Sequence, residues 1–170
     1  MWRSFRSPRV FDIALVVALE LFGAAMAVIA ASAAPGMLPI IVFFMIASVP
    51  LLARRKHPIP VAAITVALEL CSALIERPPG VGLPQLIAMY GLGRYASGAQ
   101  AGLAAGAAAA GYGTLALFNT GPGPAVGPAV ALPLIPVVLG GFFRLRYELR
   151  ERRMAERAER AVRAERQRIA

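Results

Sequence analysis

Six apolar blocks fill almost all of the chain before Arg144, and most reach the roughly 17–25 residues that a helix needs to cross a bilayer. They run approximately over residues 10–33, 37–53, 59–75, 82–96, 100–118 and 126–143; the fourth is the shortest and carries Arg94 near its end. The breaks hold turn residues: Pro35-Gly36, Arg54-Arg55-Lys56-His57-Pro58, Arg77-Pro78-Pro79-Gly80, Ser97-Gly98 and Gly121-Pro122-Gly123-Pro124. The hydrophobic share of 58% exceeds the roughly 45–50% usual for a soluble domain. The expected fold class is therefore all-α: a polytopic membrane helical bundle of about six transmembrane helices over residues 1–143, then a long cytoplasmic coiled-coil-like helix over 144–170.

Basic residues set the orientation, because cytoplasmic loops carry the excess of Lys and Arg. Arg3, Arg6 and Arg9 precede the first block, Arg54, Arg55 and Lys56 follow the second, and Arg94 closes the fourth, whereas the alternate loops hold only Arg77 beside Glu76. Both termini are expected in the cytoplasm, with the chain multi-pass in the inner or plasma membrane and the lipid bilayer its first partner. Ala31-Ser32-Ala33 resembles a signal-peptide cleavage site, but the apolar run is longer than a signal core and Pro35 lies just beyond the cut. Pro58 and Pro60 open the third block, where a missing N–H costs little; Pro39, Pro50, Pro84, Pro133 and Pro136 are expected to kink or bound their spans.

One cysteine, Cys71, permits no internal disulfide or cysteine metal cluster, and one histidine, His57, no histidine-pair metal site. No phosphate-binding glycine loop, nucleophile elbow or Ser/His/Asp set occurs, so no catalytic, cofactor-binding or metal residue is assigned. His57 is placed to respond to pH or to serve as an ordinary loop residue among cations. Trp2, Phe5 and Phe11 suit a membrane interface. Glu20 and Glu69 fall in mid-block; an intramembrane carboxyl is costly and faces a bundle interior, cavity or partner, as a sensing group or an interhelical hydrogen bond. Arg94 is expected to extend to the cytoplasmic face. Gly98, Gly102, Gly106 and Ala110 form a four-residue repeat of small side chains, a ridge suited to close helix packing or a product of Ala/Gly-rich composition.

Residues 144–170 contain ten Arg and five Glu, a net +5 out of the chain's +9, with no Gly or Pro. That composition favours a helix, and Glu148–Arg152, Glu156–Arg160 and Glu159–Arg163 have the supporting i,i+4 order. Ala155, Ala158, Val162 and Ile169 form a partial coiled-coil seam, interrupted by Glu165. Interspersed glutamates argue against nucleic acid as a partner, since phosphate tracking wants an uninterrupted basic face.

The Arg54-Arg55-Lys56-His57-Pro58 turn, Arg77-Pro78-Pro79, the run from Leu86 to Tyr95 and above all Ala158–Ala170 (AERAVRAERQRIA) resemble actinobacterial sensor histidine kinases of two-component systems. The resemblance implies a transmembrane sensor region whose signalling helix leads into Arg-Glu-Leu-His-Asp, with the phosphoacceptor histidine. This chain ends before that motif, and His57 lacks its context. Kinase activity, ATP, magnesium and a response-regulator partner are thus expected only of a kinase region the sequence does not contain. The resulting expectation is an input and dimerisation module that relays a bilayer or surface signal and forms a homodimer through the C-terminal helix. The alternative from another class is a small integral-membrane transporter or lipid-interacting protein with a basic juxtamembrane helix, its path lined by Glu20 and Glu69.

Overall fold

The structure, a computed structural model, describes residues 8–33, 35–74, 82–124 and 126–169. The basic residues Arg3 and Arg6, the interfacial Trp2 and Phe5, and the Arg77-Pro78-Pro79-Gly80 turn lie outside them. The described chain is helical, with no strand among its residues. Six α-helices follow in order: α1 (Pro8–Ala33), α2 (Leu38–Ser48), α3 (Pro58–Ala73), α4 (Leu83–Tyr95), α5 (Gly98–Thr120) and α6 (Val126–Ile169).

Local chemistry sets the boundaries. Pro39 and Pro84 occupy the first turns of α2 and α4, where an absent N–H breaks no intrahelical bond. Pro50 cannot continue α2, and Val49–Ala53 winds as a 3₁₀ helix. Pro58 and Pro60 likewise open α3. Ser97 caps α5: its Oγ accepts from Gln100 N and donates to Gln100 Oε1 at 2.9 Å, so one hydroxyl both caps the helix and holds the Gln100 side chain. Gly121, at φ 70°, closes α5 by donating its N–H to the Leu117 carbonyl. Pro133 and Pro136 both sit inside α6, which continues through them and through Phe143–Arg144 without a break.

Three helices are long and apolar enough to cross a membrane, over Arg9–Ala33, Gly98–Asn119 and Val126–Arg160; Leu38–Ala53 and Pro58–Ala73 are shorter apolar segments. The distribution of side chains is inverted relative to a water-soluble bundle. The interior is lined with alanine (Ala62, Ala88, Ala101, Ala105, Ala108 and Ala109 among them), while Leu21, Val28, Leu103, Phe118 and Val138 point outward. So large an apolar exterior is incompatible with water but is ordinary in lipid, where small interior residues let helices approach closely.

At 13 residues, α4 is about 20 Å long, too short alone for a hydrocarbon core of about 30 Å. It lies inside the bundle, with Pro84, Gln85, Ala88, Met89, Gly91, Leu92 and Gly93 all buried. Protein surrounds it, so its length need not match a bilayer. Its most extensive packing is against α6.

Candidate functional site

One end of the bundle gathers the start of α1, the turn before α3, the C-terminus of α4 and the middle of α6. Asp12, in the second turn of α1, is buried, and its Oδ1 accepts from Arg54 Nη2 at 2.6 Å and from Arg54 Nε at 3.1 Å. Arg55 Nε donates to Asp12 Oδ2, and Arg55 Nη2 to Oδ1 at 3.3 Å. Arg54 is as deeply buried as Asp12, with side-chain exposures of 7% and 6%, whereas Arg55 is one-third exposed. A buried guanidinium is sustained only by such a partner. The hydrogen bond that Arg55 donates to Asp12 holds its guanidinium above its ordinary range, against the opposing effect of its partial burial.

From this cluster, contacts continue into α4. The Arg55 guanidinium sits 5.7 Å from the centroid of the Tyr95 ring, a cation–π arrangement. The stem of Arg54 packs over Gly91, where a β-carbon would lie 3.7 Å from it. Two residues on, α4 crosses α6 backbone to backbone. A β-carbon on Gly93 would collide with the Val137 carbonyl oxygen, and one on Gly140 with that of Tyr90. Just below the crossing, Arg144 Nη1 donates to the Ala96 carbonyl at the end of α4, while its Nε lies 3.6 Å from Glu148 Oε1. The Tyr90 and Phe143 rings meet edge to face at 6.4 Å. Asp12 is thus linked to the root of the charged helix through named contacts on three elements.

Two cavities open at this end. The larger, about 760 Å³, is lined by Arg9, Asp12, Ile13, Leu52, Ala53, Arg55 and Lys56. The smaller, about 220 Å³, lies between α4 and α6 and is lined by Arg94, Phe143, Arg146, Tyr147 and Arg150. Arg94, expected to reach a surface, is half-buried in this second cavity. No group of three His, Cys, Asp or Glu able to hold a metal occurs among the described residues.

The intramembrane carboxyls lie elsewhere. Glu69 Oε1 accepts from Gly82 N at 2.6 Å, so it satisfies an N–H at the start of α4; a β-carbon at Gly82 would press on the carboxylate at 2.8 Å. The interhelical hydrogen bond is the role this geometry favours. Glu20 is half-buried on α1, and its Oε1 has no protein hydrogen-bond partner. Gln85 on α4 and Tyr112 on α5, which the sequence did not single out, are buried with side-chain polar atoms in the same condition.

The small-residue ridge does not pack against any other described helix. Gly102, Gly106 and Ala110 face outward, a β-carbon at Gly102 or Gly106 would meet nothing within 4 Å, and one at Gly98 would meet only Arg144 Nη2 at 3.8 Å. The face of α5 that packs carries Ala101, Ala105, Ala108, Ala109 and Tyr112. In the charged helix, Ala155 and Ala158 are exposed, and the side chains of Val162 and Ile169 lie outside those described. Arg160–Glu156 and Arg163–Glu159 pair at 3.5 and 3.4 Å, but Glu148 pairs with Arg144 rather than Arg152. His57 is exposed ahead of α3 and caps nothing with its side chain.

Compared with known proteins, the chain matches no family model, no curated protein and no solved structure.

Proposed function

We propose that this chain is the membrane-embedded input and dimerisation module of a two-component sensor histidine kinase. On this reading six spans place both termini on the cytoplasmic face, and residues 144–170 transmit bundle rearrangements to a kinase region. The observation that carries it is the continuity of α6, a single 44-residue helix that begins among the apolar helices and continues as an Arg/Glu rod, exposed over residues 145–160. At about 1.5 Å per residue, α6 is about 66 Å long, more than twice the hydrocarbon thickness. A rigid rod of this kind passes on rotation or displacement only if its root is held by something that can shift, and the α4–α6 glycine crossing with the Arg144–Ala96 contact supplies that hold. Two packings of α4 in the bundle would set two positions of the rod, and a stimulus that favours one would bias the other end.

The exposed Ala155 and Ala158 suit a seam that a second copy covers. The test is oxidative crosslinking in native membranes of Ala155→Cys and Val162→Cys, each in a Cys71→Ala background, with Arg157→Cys off the seam as control. Dimers at 155 and 162, and few at 157, are expected; no dimer at either seam position would sink the reading.

A further inference from the structure

The cavity between α4 and the root of the charged helix holds three guanidinium groups and no carboxylate. Arg94 comes from the last turn of α4, Arg146 and Arg150 from successive turns of α6, and Phe143 and Tyr147 complete the wall. Other arginines of the same helix pair with a glutamate one turn away: Arg144 with Glu148, Arg160 with Glu156, Arg163 with Glu159. Arg94, Arg146 and Arg150 have no ion pair or side-chain hydrogen bond with any described residue. The nearest carboxylate, Glu151, lies beside the Tyr147 hydroxyl and does not line the cavity, so one negative charge stands at the rim against three positive ones. The C-terminal carbonyl of α4 that Arg94 could have capped is taken by Arg144 instead.

Three like charges around so small a space repel one another, and an anion relieves that repulsion. Guanidinium forks match the paired oxygens of a phosphate. The cavity's surroundings narrow the source of that phosphate. On the bundle side, Val138, Leu139 and Phe142 of α6 are exposed and apolar, continuous with Phe143 in the wall. A ligand that meets both surfaces has a phosphate at one end and hydrocarbon at the other.

We infer that the Arg94–Arg146–Arg150 cavity binds the phosphate of an anionic membrane phospholipid, whose acyl chains lie along the exposed apolar face of α6. This rests on the reading of the bundle as membrane-embedded with this end at the cytoplasmic surface. It adds a ligand that touches α4 and the rod together, so the content of anionic lipid sets how firmly the rod's root is held.

The test is native mass spectrometry of the delipidated full chain in detergent micelles, titrated with dioleoyl phosphatidylglycerol and, in parallel, with dioleoyl phosphatidylcholine. Phosphatidylglycerol is expected to be retained in preference. Arg146→Gln with Arg150→Gln should weaken its retention about twenty-five-fold, from roughly a factor of five for each basic residue at a membrane surface. Arg94→Gln, which probes the cavity from the other helix, should weaken it about fivefold. Arg153→Gln with Arg157→Gln removes the same charge away from the cavity and should leave retention nearly unchanged. Equal loss in the two double variants would reduce the effect to net charge and overturn the site. Equal retention of phosphatidylcholine, or displacement by an equal concentration of inorganic phosphate, would overturn the anionic lipid as occupant. Retention is read on single chains and the transmitter role from crosslinks, so either can fail while the other stands.

Discussion

Gly140 and Gly141 are adjacent in sequence and opposite in consequence. A methyl group on Gly140 would run into the Tyr90 carbonyl, whereas one on Gly141 would rest 3.8 Å from the Gly93 carbonyl oxygen, an ordinary contact. Gly140→Ala must therefore push α4 and α6 apart, at the 1–3 kcal/mol or so typical of overpacking. Gly141→Ala gains up to about 1 kcal/mol of helix propensity without a clash. Thermal unfolding in detergent micelles should move the two midpoints in opposite directions, and equal shifts would refute the close crossing. Asp12 is the other decisive residue. Asp12→Ala strands Arg54 in a buried position, and breaking such a pair costs about 3–5 kcal/mol. Arg55→Gln, with its partner still satisfied by Arg54 and its own side chain one-third exposed, should cost much less in the same measurement. The sign of the Arg55 shift adds a condition. A cation whose folded-state pKa is raised contributes stability that is complete below its ordinary range and is lost as pH climbs from there through the raised value. Alkaline titration short of the arginine range should leave this cluster intact.

At the scale of elements, the contact between α3 and the start of α4 turns on Glu69 as an acceptor. Glu69→Gln keeps an oxygen for the Gly82 N–H, while Glu69→Leu removes it and should cost about 1 kcal/mol, the usual value of a lost helix cap. Unfolding of the two variants in micelles separates that role from one that needs a charge: comparable destabilisation by Gln would point to the carboxylate itself. The helices were largely legible in the sequence because block length and turn residues are local signals. Prolines 39, 58 and 84 mark first turns, and the Ser97-Gly98 turn marks the start of α5. What packs against what was not legible. The four-residue repeat in α5 looked like a packing ridge but points outward, because in an Ala-rich helix every face is smooth enough to be buried. The close crossing instead pairs Gly93 with a segment more than forty residues away, a match no periodicity encodes. Asp12 was overlooked because it lies near the edge of an apolar block, where a carboxylate reads as interfacial; its burial depends on Arg54 arriving from another element.

For the whole molecule, the number of passes hinges on α4. Its 13 residues would not be counted as a span by length, yet its C-terminus lies at the same end as the Arg54–Arg55 turn and the root of the charged rod, through the Arg55–Tyr95 and Arg144–Ala96 contacts. A chain that leaves that turn along α3 can bring the end of α4 back to it only if α4 runs the full return, and α5 and α6 then make one further round trip. On the proposed six-span reading four passes separate His57 from Ala155, and the two positions should share one side of the membrane. Pro122, in the turn between α5 and α6, should lie on the other. In a Cys71→Ala background, His57→Cys and Ala155→Cys should resist an impermeant maleimide in intact cells and react after permeabilisation, whereas Pro122→Cys should react at once. If 57 and 155 were labelled from opposite sides, α4 would not be a pass, and the common end built by Asp12, Arg54, Tyr95 and Arg144 would not exist in the membrane. If both were labelled from outside, the common end would stand, but the basic loops would face away from the cytoplasm and the transmitter reading would lose its kinase.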